Sequence, residues 1–326
     1  MLPLVSVFWL NYNSMHVINV VKKSLDAVLR LGYPDFEVIV VDNNSTDGSR
    51  EAIEKYLENK EPSGVRVKFI KLSRNLGFSD GINIAYRARD KNSMYVAVIN
   101  NDAIPNSDYL KKLVEFSEEN WDVGAVQGVV TNLHNKFLID SAGGFLNEIL
   151  MSNFSYRGKP VSIISKPFTV SYVEGTMPLY RVKAIEDAVG GNIMYVPGSF
   201  MYYLEDVFLS FKLWNSGYKC VVVPVVTGRH YREATTKKHF RYAKRYYYLL
   251  RNRVALLYIT NSKYKKAFFL KCLRSLLLSR IGLAERRKIL RALVDGIRFG
   301  RQLQEKYGTI DLHRIPLIKT SLKAIL

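Results

Sequence analysis

The sequence predicts an α/β fold with a mostly parallel central sheet, followed by a basic helical segment. Three observations carry that reading. From residue 3 to about 130, apolar runs of strand length alternate with longer stretches of helical period. Two of the short runs, residues 38–41 and 95–99, are apolar without interruption, as in strands covered on both faces. The charge is divided: residues 1–230 hold 24 Lys+Arg against 24 Asp+Glu, and residues 231–326 hold 24 against 5, so the net charge of +19 lies in the last third.

In order, residues 4–10 read as a first strand and 14–31 as a helix capped by Ser14. Residues 36–41 are a second strand, with a helix from about 47 to 57 in which Asp47 is placed to cap. A third strand takes 65–72, then a helix through 82–88. A fourth takes 94–99, then a helix over 107–117, and 123–130 is a candidate fifth strand. A later strand takes 219–226.

At 326 residues and 48% apolar content the chain can bury a core, and disorder is excluded over most of its length. No run reaches the roughly 18 apolar residues of a spanning helix. The N-terminus reads as a buried strand rather than a signal peptide. Cys220 and Cys272 show no metal-type spacing and suit a reducing compartment. The expected location is the cytoplasm.

The residues just past each strand are more telling. After strand one comes Asn11-Tyr12-Asn13, and after strand two Asp42-Asn43-Asn44-Ser45-Thr46-Asp47-Gly48-Ser49. After strand three comes Arg74-Asn75-Leu76-Gly77-Phe78, and after strand four Asn100-Asn101-Asp102. Turn and cap preferences explain any one cluster. Four in succession point to one crevice beyond the carboxyl ends of the strands.

These strings resemble the inverting glycosyltransferases of family 2, which share the GT-A fold. The resemblance covers about residues 3–230 and rests on 5–13 (VSVFWLNYN), 38–49 (VIVVDNNSTDGS), 75–83 (NLGFSDGIN), 98–105 (VINNDAIP) and 204–231 (LEDVFLSFKLWNSGYKCVVVPVVTGRHY). The NLGF and NND forms are similar to the subgroup with bacterial rhamnosyltransferases and galactofuranosyltransferases. The resemblance implies transfer of a sugar from a nucleotide-diphosphate sugar, assisted by a divalent cation, Mn²⁺ or Mg²⁺.

It also implies roles for residues. Asp42 would accept the N3–H of uracil or thymine, with Asn11 and Asn13 near base and ribose. The turn of Asn75 and Gly77 would bring backbone close to the nucleotide, glycine having no side chain in the way. Asn100-Asn101-Asp102 stands where the family has its DXD motif. Asp102 matches the usual metal ligand, whereas Asn100 replaces an acid and brings no charge. His230, after the 219–226 strand, matches a histidine that completes the coordination. One carboxylate and one imidazole suit Mn²⁺ or Mg²⁺ when the diphosphate supplies the rest. Asp206 matches the base that takes the acceptor's proton, with Glu205 beside it as an orienting residue. The pair is equally an acidic first turn of a helix. Relatives often carry a further acid where Phe208 stands, a difference of acceptor site or of packing. Gly175, within Glu174-Gly175-Thr176, falls in a region that lines the acceptor side. Residues 131–170 match no motif and are expected to form acceptor-specific loops.

From residue 240 the pattern is helical, with aromatics and arginines interleaved. Within 287–298, Ile289, Leu290, Leu293, Val294 and Ile297 share one face, and Arg287, Lys288, Arg291, Asp295 and Arg298 the other. Such a helix suits the surface of an anionic bilayer, and equally suits packing on the catalytic part. Residues 264–283 are apolar on nearly every side, as in burial or shallow insertion. Nucleic acid ranks below membrane as a partner, because no recognition motif accompanies the basic residues. The expected arrangement is a catalytic domain over 1–230 and a helical, membrane-associating segment over 231–326. The protein would lie peripherally on the cytoplasmic face of the cell membrane and act on a saccharide, lipid-linked saccharide or polyprenyl phosphate.

Two rivals stand beside this reading. A nucleotidyltransferase should carry a glycine-rich phosphate loop after strand one, where this chain has Asn11-Tyr12-Asn13-Ser14. A non-catalytic glycan- or nucleic-acid-binding protein on a degenerate transferase fold is opposed by Asp42, Asp102, Asp206 and His230. Asn100 and Phe208 leave room for it.

Overall fold

The computed structural model describes residues 2–59, 64–197, 203–232, 242–278 and 282–319. Its first half is a βαβ series: β1 (Val5–Asn11), α1 (Ile18–Leu29), β2 (Phe36–Asp42), α2 (Ser49–Glu58), β3 (Arg66–Lys71), α3 (Phe78–Ala88) and β4 (Tyr95–Asn100). β1 pairs in parallel with both β2 and β4, and β2 with β3. These are the four strands expected from the apolar runs, shifted by a residue or so at their ends. β3 forms one edge of the sheet and exposes Arg66, Lys68 and Lys71, charges that discourage pairing with another chain.

The second half runs β5 (Ala103–Pro105), α4 (Tyr109–Glu119), β6 (Val123–Asn132), β7 (Ile139–Ser141), β8 (Phe145–Leu146), β9 (Ser152–Phe154), β10 (Phe168–Thr169), β11 (Pro178–Arg181), α5 (Val182–Val189), α6 (Glu205–Asn215) and β12 (Lys219–His230). The main sheet has the order β10-β12-β6-β11-β4-β1-β2-β3, with β5 also on β12 and β7 also on β6. β11 lies antiparallel between β4 and β6, and β12 is parallel to β6. The stretch expected as loops over 131–170 therefore includes β7 to β10. His230 also does not follow a strand but ends β12, opposite Ala103 and Asn132.

Strand alternation divides the core in two. Val5, Val7, Trp9, Val38 and Val40 face α1, α2 and α4, whereas Phe8, Ile39, Val41, Val96 and Val98 face α3, α5 and α6. Each fully buried side chain of this size contributes about 1.5–3 kcal/mol, so both faces hold the sheet rigid beneath its loops. The helix start expected at Ser14 is corrected. Its hydroxyl donates to Asn11 Oδ1 at 2.5 Å, and a 3-10 turn (Met15–Val17) intervenes before α1.

Beyond residue 241 lie α7 (Tyr242–Ile259), α8 (Lys265–Leu278) and α9 (Leu283–Tyr307). A third core joins Val207, Phe208 and Phe211 of α6 to Leu250, Val254 and Leu257 of α7 and to Leu293 and Leu303 of α9. Phe208 is buried and meets the Tyr307 ring edge-on at 5.6 Å, so it packs into this third core. α9 lies close on α7 because Gly296 and Gly300 have no side chains. A Cβ on Gly296 would come within 2.6 Å of the Arg251 carbonyl oxygen. This splits the apolar face expected over 287–298: Leu293 is buried against α7, while Leu290 and Val294 point outward at 44% and 52% exposure. Residue 240 and the run Phe200-Met201-Tyr202 before Glu205 lie outside the described residues.

Candidate active site

The ends of β1 and β2 are tied into one polar knot. Asn11 Nδ2 donates to Asp42 Oδ1 at 2.8 Å and to Ser45 Oγ at 3.1 Å. Asp42 also accepts from the Ser45 amide at 2.9 Å and the Ser45 hydroxyl at 2.6 Å. Both its oxygens are thus used within the loop, and the residue is fully buried. In this arrangement Asp42 shapes the loop, its Oδ1 taking two hydrogen bonds and its Oδ2 one. Asn13, at φ 45°, accepts from the Thr46 amide and closes the loop from the β1 side. Asp47 accepts from the Ser49 amide and hydroxyl and from the Met15 amide, which holds it below the usual carboxylate range against the opposing effect of burial.

The Asn75–Gly77 turn is clamped to β2 by Asn43, whose amide donates to the Gly77 carbonyl and whose oxygen accepts from the Leu76 amide. Asn75 Oδ1 accepts from the Gly77 amide at 2.8 Å. Gly77 sits at φ 84°, a left-handed conformation that favours glycine.

At the end of β4 the Asn100-Asn101-Asp102 string meets β12. Asn101 is held by Asn11, 3.2 Å away, and Asn100 is half-buried. Asp102 Oδ1 lies 3.0 Å from His230 Nε2, and His230 Nδ1 lies 2.7 Å from Asp140 Oδ2. Arg232 Nε donates to Asp140 Oδ1 at 2.9 Å, and its Nη2 to Glu174 Oε2 at 3.1 Å. Burial would depress the His230 imidazole, but hydrogen bonds to Asp102 and Asp140 carry it up to about 9. Burial opposes ionisation of Asp140 as well, yet His230 and Arg232 keep it below its ordinary value.

The 3.0 Å between Asp102 Oδ1 and His230 Nε2 is that of a hydrogen bond; a divalent ion held by these two residues would replace that bond and take the imidazole in its neutral form. A carboxylate on the far nitrogen of a metal-binding histidine fixes its tautomer, the place Asp140 occupies. Among the described residues no group of three or more His, Cys, Asp or Glu could hold a metal. Other oxygens would have to complete the shell.

The carboxylate pair stands on the far side of the Glu174-Gly175 corner. Asp206 Oδ2 accepts from the Gly175 amide at 3.1 Å, and Oδ1 from its neighbour Val207 at 2.8 Å. Burial raises Asp206 against both amides. Glu205 is pushed up to about 8, by burial first and by the Asp206 charge second. Its Oε2 is buried with no hydrogen-bond partner among the described residues. A Cβ at position 175 would stand 3.8 Å from Asp206 Oδ2, in ordinary van der Waals contact with that carboxylate. The turn into α6 holds Tyr203 and Leu204 at φ 70° and 72°, strain of the kind found at functional sites. Asn252 of α7 donates to the Tyr203 carbonyl at 2.9 Å and holds that turn.

The sequence model of glycosyl transferase family 2 matches residues 6–189, more than half of the chain. The chain belongs to that family. It is 34% identical over 118 residues to the putative teichuronic acid biosynthesis glycosyltransferase TuaG of Bacillus subtilis (strain 168), covering 36% of this chain and 43% of that one. It is 28% identical over 108 residues to the poly-beta-1,6-N-acetyl-D-glucosamine synthase of Staphylococcus epidermidis, 33% of this chain and 24% of that one. The chain thus aligns with less than half the length of these curated relatives. Among solved structures, S. aureus TarS 1-349 in complex with UDP-GlcNAc is similar over 93% of this chain and 83% of that chain, at TM-score 0.57 and 20% identity. The mannosyltransferase PcManGT from Pyrobaculum calidifontis, in complex with GDP-Man and Mn²⁺, is similar over 94% and 75%, at TM-score 0.51 and 20% identity. At such identities the likeness shows the fold, which is GT-A.

Several residues of this candidate site were not legible as motifs. Asp140 and Arg232 bind opposite sides of one network, yet Asp140 lies in the motif-free 131–170 stretch and Arg232 just past the last matching string. Asn43 and Ser45 fall inside a matching string that gives them no role. Asn252 lies in the basic third, outside every string. The one available signal was the Arg-His-Tyr-Arg run at 229–232, which sets a cation two residues from the candidate ligand.

Proposed function

We propose that this glycosyltransferase moves a sugar from a nucleotide-diphosphate donor to an acceptor hydroxyl by a single, inverting displacement. The observation that carries this is a continuous path from Asp102 through His230, Asp140, Arg232 and Glu174 to Gly175 and Asp206. It supports a reading in which Asp102 and His230 serve the diphosphate on one side of the Glu174-Gly175 corner and Asp206 serves the proton on the other. Asp206 accepts the acceptor's proton as its oxygen attacks the anomeric carbon; the bond to the diphosphate breaks and the configuration inverts. Glu205, kept protonated near neutral pH, orients the acceptor without adding a second negative charge. Asp102 and His230 would hold Mn²⁺ or Mg²⁺, which supplies positive charge to the departing diphosphate. Asn11, Asn13, Asp42, Asn75, Gly77, Asn100 and Asn101 line the donor side. TarS carries UDP-GlcNAc and PcManGT GDP-Man with Mn²⁺, which supports a nucleotide-sugar donor.

Residues 1–230 form the catalytic part in this proposal, and the helices after it bring it to an anionic membrane surface bearing a lipid-linked saccharide or polyprenyl phosphate. The test is a panel of nucleotide sugars with Mn²⁺ or Mg²⁺, read by thermal stabilisation and slow donor hydrolysis. One donor should stabilise the protein and be hydrolysed only with metal. No response to any donor would overturn the proposal.

A further inference from the structure

The basic third has two candidate surfaces for a bilayer, and packing removes one. Leu293, with Ala292, Gly296, Gly300 and Leu303, is buried, so that side of α9 is core. The opposite side carries Leu283, Arg287, Leu290, Val294, Arg298 and Arg301, spaced by four, three, four, four and three residues. Six residues at that spacing form one straight stripe on a helix. Leu283 is 74% exposed, with Leu290 and Val294 outward beside it. Aliphatic side chains interleaved with arginines on an exposed helix face have little to gain from water. Asp295, the acid nearest the middle of the stripe, is occupied by the Tyr247 hydroxyl and by Arg291 and Arg298. Towards the C-terminal end lies a hollow of about 370 Å³ lined by Val294, Ile297, Arg298, Arg301, Gln302 and Glu305. Its two guanidiniums suit a phosphate, against the single carboxylate of Glu305.

We infer that this outer stripe of α9, from Leu283 to Arg301, lies flat on an anionic lipid bilayer. The aliphatic side chains enter the headgroup boundary and the arginines meet lipid phosphates. This deepens the membrane part of the proposed function and rests on it. No helix among the described residues is long and apolar enough to cross a membrane, so the contact is interfacial. A bilayer fits better than nucleic acid because the stripe offers aliphatic groups and has no aromatic ring on which a base could stack.

The experiment is sedimentation of the full chain with vesicles of equal parts phosphatidylglycerol and phosphatidylcholine, and with pure phosphatidylcholine. The full chain should sediment with the first and not the second. Leu290→Glu with Val294→Glu should abolish the binding that survives high salt. Arg287→Ser with Arg298→Ser and Arg301→Ser should weaken low-salt binding by roughly a hundredfold. All five positions are outward, so melting temperature and donor hydrolysis should match the parent. Equal sedimentation of parent and variants would overturn the stripe, as would parent binding no stronger to anionic than to neutral vesicles. Binding of a DNA oligonucleotide that the arginine variants lose, without vesicle binding, would assign the surface to nucleic acid instead. Loss of donor hydrolysis in the parent would sink the transferase reading while leaving the vesicle result standing.

Discussion

Replacing Asp206 with asparagine separates its structural duty, accepting from two amides, from the proposed duty of general base. Its oxygens accept from two backbone amides, Gly175 at 3.1 Å and Val207 at 2.8 Å. An asparagine has one oxygen and one NH₂, so whichever way it turns, one amide faces a donor. A half-buried donor left unpaired costs about 1–3 kcal/mol, which should lower the melting temperature by several degrees. Catalysis should lose far more. Removing a general base costs roughly 10²–10⁴-fold in turnover. Donor KM should stay within a few-fold, because no donor-side residue touches Asp206. The pH dependence should change too. The parent's turnover should rise with pH as Asp206 ionises and fall again as Glu205 loses its proton near about 8, whereas the variant should lack the rising limb. Glu205 keeps its proton to about 8 in the folded chain but releases it near 4.5 when unfolded. Between those values the folded state holds more protons, so stability falls as pH rises. Steady-state kinetics across pH and thermal melts check both trends. A variant with parental turnover at saturation and a collapsed donor affinity would refute the assignment of the base.

Other expectations rest on the same geometry. Asp102→Ala and His230→Ala should remove the stimulation of turnover by Mn²⁺ or Mg²⁺, and Asp140→Asn should weaken metal affinity by roughly 10–100-fold. A metal titration of activity reads both, and full activity in chelator contradicts them. Phe208→Glu should lower the urea midpoint sharply, because it places a charge against Tyr307 in the third core. A normally folded variant with an altered acceptor KM would contradict that. Gly300→Ala sets a Cβ 2.6 Å from Tyr258 Cβ and 2.7 Å from the Ala255 oxygen. Urea unfolding should show a loss of about 1–3 kcal/mol, and an unchanged midpoint would mean α7 and α9 pack more loosely.

β1, β2 and β4 were legible because each is an apolar run covered by helices on both faces, whereas β3 is an exposed edge in which charged and apolar residues alternate. β5 and β11 were not: Ala103–Pro105 and Pro178–Arg181 are short and gain their stability from strands distant in sequence. The Asn11, Asp42 and Asn100–Asp102 clusters were legible because they sit directly after those strands. Asp140 was not, since its bonds to His230 and Arg232 span 90 and 92 residues and leave no local pattern. In α9 the periodicity located the apolar side but not its centre. Gly296 and Gly300, which add nothing to an apolar pattern, draw their own side onto α7 and turn Leu290 and Val294 outward.

The central claim concerns which bond breaks. Given a responsive nucleotide sugar, a divalent cation and a simple alcohol acceptor, phosphorus and proton NMR identify both products. The account predicts a nucleoside diphosphate and a glycoside of opposite anomeric configuration to the donor, neither formed by Asp206→Asn at more than a trace. Release of a nucleoside monophosphate or pyrophosphate would place the attack at phosphorus, and a glycoside of retained configuration would exclude a single displacement. Either result would contradict the account.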